Sequence, residues 1–383
     1  MVLFSIHSTP LSSFHLYIMH ASHLKNLEKL SFFRTTLLLL ILIGSSFSPL
    51  SAQTRFHLFS EQYGGTNNDE PNAIAVDGSG NVWVTGKFEG TADFGGGSLN
   101  SAGNEDIFLT KYSPTGAHLF STRFGSTGED VSNGIALDAS DNVWLTGSFR
   151  GTVDFGGGNR VSNGGEEIFL AKFSSTGTHL FSTSFGSAGN DAGRAVVVDG
   201  SDNVWLTASF RGTINLGGGN LSTNGNDDVA LAQFNTSGSH LFSNSYGGSS
   251  NDVPQGIAVD DLGTVWIGGY YSNSINLGGS TLSSNGGIDI FLARYTSAGA
   301  HLLSRTYGGS ANDRINALDT DGSGSIWITG LFNGTIDFGG GPLTSEGGSD
   351  VFLAKLANTS FHLFSTSFGG TGNDQGRGLT VDA

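Results

Sequence analysis

Six aspartates recur at a fixed step of 61 residues: Asp69, Asp130, Asp191, Asp252, Asp313 and Asp374. A second acidic column keeps the same step: Asp106, Glu167, Asp228, Asp289 and Asp350. Carboxylates brought to one face in this way suit Ca²⁺, a hard cation that takes several oxygen ligands. They suit better a purely local task, accepting N–H bonds from the Gly, Asn and Ser residues around them. Asp69 and Asp106 stand for the metal reading in the two columns. Asp319-Thr-Asp321-Gly-Ser323-Gly-Ser325 adds a third candidate, because its spacing imitates the start of an EF-hand loop. The bidentate Glu that closes such a loop is missing, and Gly330 stands in its place. A further column, Asp77, Asp138, Asp199, Asp260, Asp321 and Asp382, opens a Gly/Ser/Asn turn and reads as turn chemistry. No resident cofactor is expected, with Ca²⁺ the one ion the acidic columns would accommodate.

Other copied residues argue against a single reaction centre. Trp83, Trp144, Trp205, Trp266 and Trp327 share the step, as do His57, His118, His179, His240, His301 and His362. A catalytic site needs different groups converging once, such as a nucleophile, a base and an oxyanion donor. Here nearly every polar residue is repeated, and no P-loop, zinc spacing or nucleophile elbow is present. The tryptophans are expected in the core and the histidines in structural roles. Departures from the repeat mark where a ligand would bind: Glu70 and Arg314 in the column Glu70, Val131, Ala192, Val253, Arg314, Gln375; Asp319, which replaces alanine or valine; and Tyr270-Tyr271.

The elements that must position these residues follow from the period, which marks a repeat architecture. Ile74-Ala-Val-Asp-Gly-Ser-Gly-Asn-Val-Trp-Val-Thr-Gly86 sets β-branched and aromatic runs on either side of a turn, the pattern of a hairpin. Its glycine load excludes a helix. Each unit divides into four strands, in the first unit about 73–77, 81–88, 106–112 and 118–124. Ser113-Pro-Thr-Gly116 turns the third into the fourth, and residues 89–105 would form a small extra hairpin. The first strand carries small residues and the third and fourth carry bulky ones, as a wedge-shaped sheet requires. The third strand, Ile107-Phe108-Leu109 in the first unit, is continuously apolar, as in a sheet covered on both faces. Four-stranded antiparallel sheets packed radially make a β-propeller, and each unit can hide its faces only against its neighbours.

Composition narrows the setting. Sixty glycines, no cysteine and a net charge of −16 characterise the chain. Residues 1–52 hold Lys25, Lys29, Arg34 and Glu28, so the remainder carries 14 basic against 32 acidic residues. That balance disfavours nucleic acid and anionic membrane as partners. Lys25, Lys29 and Arg34 precede the run Leu37–Ile43, then small residues to Ala52, which is the layout of a secretory signal. Residues 1–52 are therefore expected to be removed, with Met19 an alternative start, and residues 53–383 to form the repeat domain, with no transmembrane segment. Export without cysteine demands a core that suffices by itself.

The pattern Tyr63-Gly64-Gly65, Asp69, Ile74 to Asp77, Gly80 to Gly86, Asp106 to Leu109 and Lys111-Tyr112 resembles the SBBP β-propeller repeat of bacterial surface and secreted proteins. The resemblance covers residues 57–383, although family repeats often carry Tyr where this chain has Trp83. It implies a seven-bladed propeller, often part of a longer surface protein, and supplies no catalytic residues. Five complete four-strand sets are expected, with a fourth strand before the first set at His57–Tyr63 and a first strand after the last. The chain is thus expected to be part of a ring of six or seven blades. Three functions follow: a surface scaffold that binds protein or glycan, a lyase or glycosidase at the axial mouth, and a Ca²⁺-stabilised surface protein.

Overall fold

The computed structural model describes residues 59–381, together with the backbone of two short strands, Ile6–Ser8 and Phe14–Leu16. Apart from those strands, the expected export segment lies outside the described residues. Among the described residues there are strands and turns and no helix, so no helix is long and apolar enough to cross a membrane.

Five antiparallel four-stranded blades follow one another along the chain. Their inner strands are Asp69–Val76, Val131–Leu137, Ala192–Val198, Asp252–Val259 and Arg314–Thr320. The second strands are Val82–Asp93, Val143–Phe149, Val204–Asn215, Val265–Ile275 and Ile326–Asp337. The third are Ser98–Tyr112, Glu167–Phe173, Asn220–Phe234, Leu282–Tyr295 and Pro342–Leu356. The outer are His118–Phe124, His179–Phe185, His240–Tyr246, His301–Tyr307 and His362–Phe368. Blades neighbouring in sequence touch through their inner strands, which places those strands around a common axis.

The hairpin expected over residues 89–105 is no separate element, because the second and third strands of the first blade simply run on as far as Asp93 and Ser98. In the second blade the same extension is the separate pair Thr152–Asp154 and Asn159–Val161. Its Gly-Gly-Gly turn explains both the glycines and the histidines. Gly95 and Gly97 have φ of 98° and 102°, and the histidine ring of the outer strand stands where a side chain on the middle glycine would be. His179, His240 and His362 then hold Ser182, Ser243 and Ser365 through Nε2, at 2.9–3.0 Å.

The core lies between blades. Trp83, Ile107 and Leu109 of the first blade pack with Leu145, Phe149 and Phe169 of the second, and the next three junctions repeat this arrangement. Trp83, Trp144, Trp205 and Trp266 are 0% exposed. Each indole removes about 150–250 Å² from water, worth roughly 4–6 kcal/mol as an upper bound.

The two ends of the described chain share a sixth position. Phe59 lies against Gly116 as Phe120, Phe181 and Phe242 lie against Gly177, Gly238 and Gly299, and Tyr63 stacks on Tyr112 at 4.7 Å. Residues 59–63 thus stand where the outer strand of a preceding blade would. Gln62–Gly65 pairs on one edge with Phe14–Leu16 and on the other with the far end of Val82–Asp93. At the other end, Asn316 Nδ2 donates to the Gly376 carbonyl at 2.8 Å, the link that Asn72 and Asn133 make to Ser132 and Gly193. Residues 375–381 therefore occupy a sixth inner position, and Arg377 reaches Glu70 of the first blade at 3.0 Å.

Candidate functional site

The inner strands surround an axial cavity of about 880 Å³, lined from all six positions. Each inner strand carries a register shift, between Pro71 and Ala73 in the first blade and at the equivalent places in the other four. The extra residue in each is Asn72, Asn133, Arg194, Gln255 and Asn316, and Arg377 holds the equivalent place at the sixth position. A bulge re-aims the side chain it carries. All six of these residues line the cavity, so its polar level combines four carboxamides and two guanidinium groups.

The residues singled out in the sequence do not come together. Glu70 lines the cavity, paired with Arg377 at 3.0 Å and with Lys87 at 3.7 Å. Arg314 lies over the Tyr270 ring at 4.5 Å. Tyr271 takes the core place that Phe88, Phe149, Phe210 and Phe332 fill in the other blades; it is fully buried, with its hydroxyl 2.8 Å from Thr306 Oγ1. It offers nothing to a ligand, because strand alternation turns it to the side opposite Tyr270. Asp319 accepts the N–H of Thr320 and that of Val381, both at 2.8 Å, and so fastens the sixth inner segment to the fifth blade.

In the acidic columns one oxygen of each carboxylate is taken by a peptide donor, while Oδ1 of Asp69, Asp106, Asp228, Asp252, Asp289 and Asp350 is buried without a hydrogen-bond partner among the described residues. Asp69, Asp130, Asp191, Asp252 and Asp313 each accept the N–H four residues earlier, at 2.6–2.8 Å. Asp106, Glu167, Asp228 and Asp289 do the same at 2.6–2.9 Å. A cation would have to compete with these N–H groups. Among the described residues no three His, Asp or Glu side chains are grouped to hold a metal. Burial, opposed by the N–H bonds, pushes Asp130 and Asp313 up to about 6, and burial together with the neighbouring Asp228 charge raises Asp252 to about 8. Asp321 belongs to its turn, paired with Lys355 at 2.9 Å and held by Ser323 and Ser325.

Sequence reasoning missed a latch at the blade junctions. Lys111 sits over Trp83 at 4.7 Å, pairs with Asp77 at 2.9 Å and donates to the Ser175 carbonyl of the next blade at 2.9 Å. Lys172 and Arg294 repeat all three contacts. In the third blade Gln233 takes the cation's place and donates to Asp199 at 3.1 Å. The signal was available, because a cation recurred two residues after the apolar run of the third strand.

The family comparison agrees with this geometry. Residues 58–87 match the SBBP family, a β-propeller repeat. The SBBP stretch spans the inner strand, its turn and the Trp83 hairpin of the first blade. Beyond it, the chain is 24% identical over 321 residues to the regulatory protein FlaEY of Caulobacter vibrioides, covering 73% of this chain and 32% of that protein. It is 25% identical over 204 residues to the uncharacterised WD repeat-containing protein L264 of Acanthamoeba polyphaga mimivirus, covering 46% and 15% respectively. The chain thus spans a third or less of these relatives' lengths. Among solved structures, a gluconolactonase of Xanthomonas campestris is similar with a TM-score of 0.37 and 12% identity, over 80% of this chain and 88% of that one.

Proposed function

We propose that the chain is a non-catalytic β-propeller of the cell surface or extracellular space, one that binds a protein or glycan. The observation that carries this reading is where variation falls. Groups with acid–base or metal chemistry are copied from unit to unit, and each carboxylate of the two acidic columns gives one oxygen to a peptide N–H of its own loop. Among the side chains that differ from blade to blade, Arg194 and Gln255 break a run of asparagines at the axial cavity. Fold does not dictate function, so the site has to carry the argument. A catalytic reading at the axial mouth would lean on Asp319, whose two oxygens are held by Thr320 and Val381. The secretory-signal layout of residues 25–52 supports the location, and the acidic balance favours protein or carbohydrate over nucleic acid. The test is a binding screen of the purified chain against envelope proteins and a glycan array. Saturable binding to a member of either set is expected, and a blank result throughout would overturn the reading.

A further inference from the structure

Two arginines sit in the polar level of the axial cavity, at the third and the sixth of its six positions and so across the axis from one another. Their surroundings differ. Arg377 is paired with Glu70, and its charge is answered. Arg194 donates through Nε to Ser209 Oγ at 2.9 Å, which fixes the plane of its guanidinium. Among the described residues its two terminal nitrogens have no hydrogen-bond partner, and no carboxylate lies within ion-pair distance.

The carboxamides say what else the cavity wants. Asn72, Asn133 and Asn316 each spend Nδ2 on the main chain of the next position. That bond orients each amide and leaves its Oδ1 as an acceptor. Gln255 beside Arg194 adds a donor and an acceptor. Ile135, Val196 and Ile257 add aliphatic lining. The complement of this set carries one planar anion for the guanidinium fork, several O–H donors for the amide oxygens, and C–H surface for the aliphatics. A neutral sugar leaves Arg194 unanswered, and a bare carboxylate leaves the amide oxygens unanswered.

We propose that the axial cavity binds a hydroxylated carboxylate of the acidic-sugar class, with Arg194 holding the carboxylate. This deepens the binding role assigned above by naming a ligand class for the axis.

The probe is D-glucuronate, titrated calorimetrically into the full chain beside D-glucose and acetate. Glucuronate is expected to bind at least about tenfold more tightly than either control, because each control lacks one half of the complement. R194Q is expected to weaken glucuronate about tenfold or more, and S209A to weaken it less, since the guanidinium stays but loses its anchor. R211Q, an exposed arginine paired with Asp227 outside the cavity lining, is expected to leave it unchanged. Equal binding of glucuronate and glucose, no glucuronate binding at millimolar concentration, or unchanged binding in both R194Q and S209A would overturn the proposal. A positive screen on envelope proteins that glucuronate does not compete with would leave the scaffold reading standing while ligand binding at the axis fails, so the two failures are distinguishable.

Discussion

The blade junctions and the axis are built from the same repeat on opposite principles. At the junctions each unit supplies the same tryptophan, the same turn aspartate and, in four blades of five, a cation over the indole: Lys111, Lys172, Arg294 and Lys355. At the axis, one bulge presents Asn, Asn, Arg, Gln and Asn in turn. Every junction must bury the same two apolar flanks, so one solution serves all of them and substitution leaves a cavity. The bulged asparagines still tie neighbouring inner strands together, but among the described residues Arg194 and Gln255 make no such link between blades, so at those two positions the ring asks little of the side chain. The comparison teaches that in a ring of copies the copied chemistry is structural, and it is to the uncopied positions that the proposed recognition is assigned.

The sharpest way to break that comparison is at the junction. W144A should lower stability by about 3–5 kcal/mol, read as a fall in the urea midpoint, because the indole is fully enclosed. W327A should cost visibly less, about half as much. Its blade faces the sixth position, where Phe368 is 56% exposed, against 8% for the equivalent Phe124. Equal losses would mean that the last flank is packed as tightly as the others.

K172M comes next. It strands Asp138, a buried carboxylate held low by its Lys172 and Asn142 hydrogen bonds despite desolvation, and frees the Thr236 carbonyl. The expected loss is about 2–3 kcal/mol, and K172R should recover most of it.

Asp252 supplies a smaller effect with a definite sign. Its carboxyl titrates near 3.8 when unfolded and is raised to about 8 in the fold, so the folded state keeps a proton that the unfolded state releases. Stability is therefore lost as pH rises from about 4 to about 8. D252N, which imitates the protonated acid, should gain about 1–2 kcal/mol at pH 8 and flatten that part of the profile. A steeper profile in D252N would contradict this sign.

Much of this was legible because it was copied. The 61-residue step, the hairpin turn opened by Asp77 and the continuous apolar run Ile107-Phe108-Leu109 each appear several times, so turn chemistry and burial could be read without an alignment. The axial residues were not, for a reason of register. Side chains alternate along a strand with period two, and the bulge at Asn72 breaks the count within the inner strand. The column beginning at Glu70 drew attention because it also varies, yet the fully lined level sits two residues further on. Asp319 stood out as a charge in an aliphatic column, and only the position of Val381 shows what that charge holds. The Tyr270-Tyr271 pair looked like one feature, whereas alternation sends one ring beneath Arg314 and the other into the core.

The division of labour between junction and axis is tested most directly by the thermal melt of R194Q in buffer alone. Arg194 is the uncopied charge that the account assigns to recognition, so its removal should leave Tm within about 1 °C of the parent chain. A fall of several degrees would make Arg194 a residue the ring needs in order to stand, and would contradict the claim that the axis is free to vary because the fold does not depend on it.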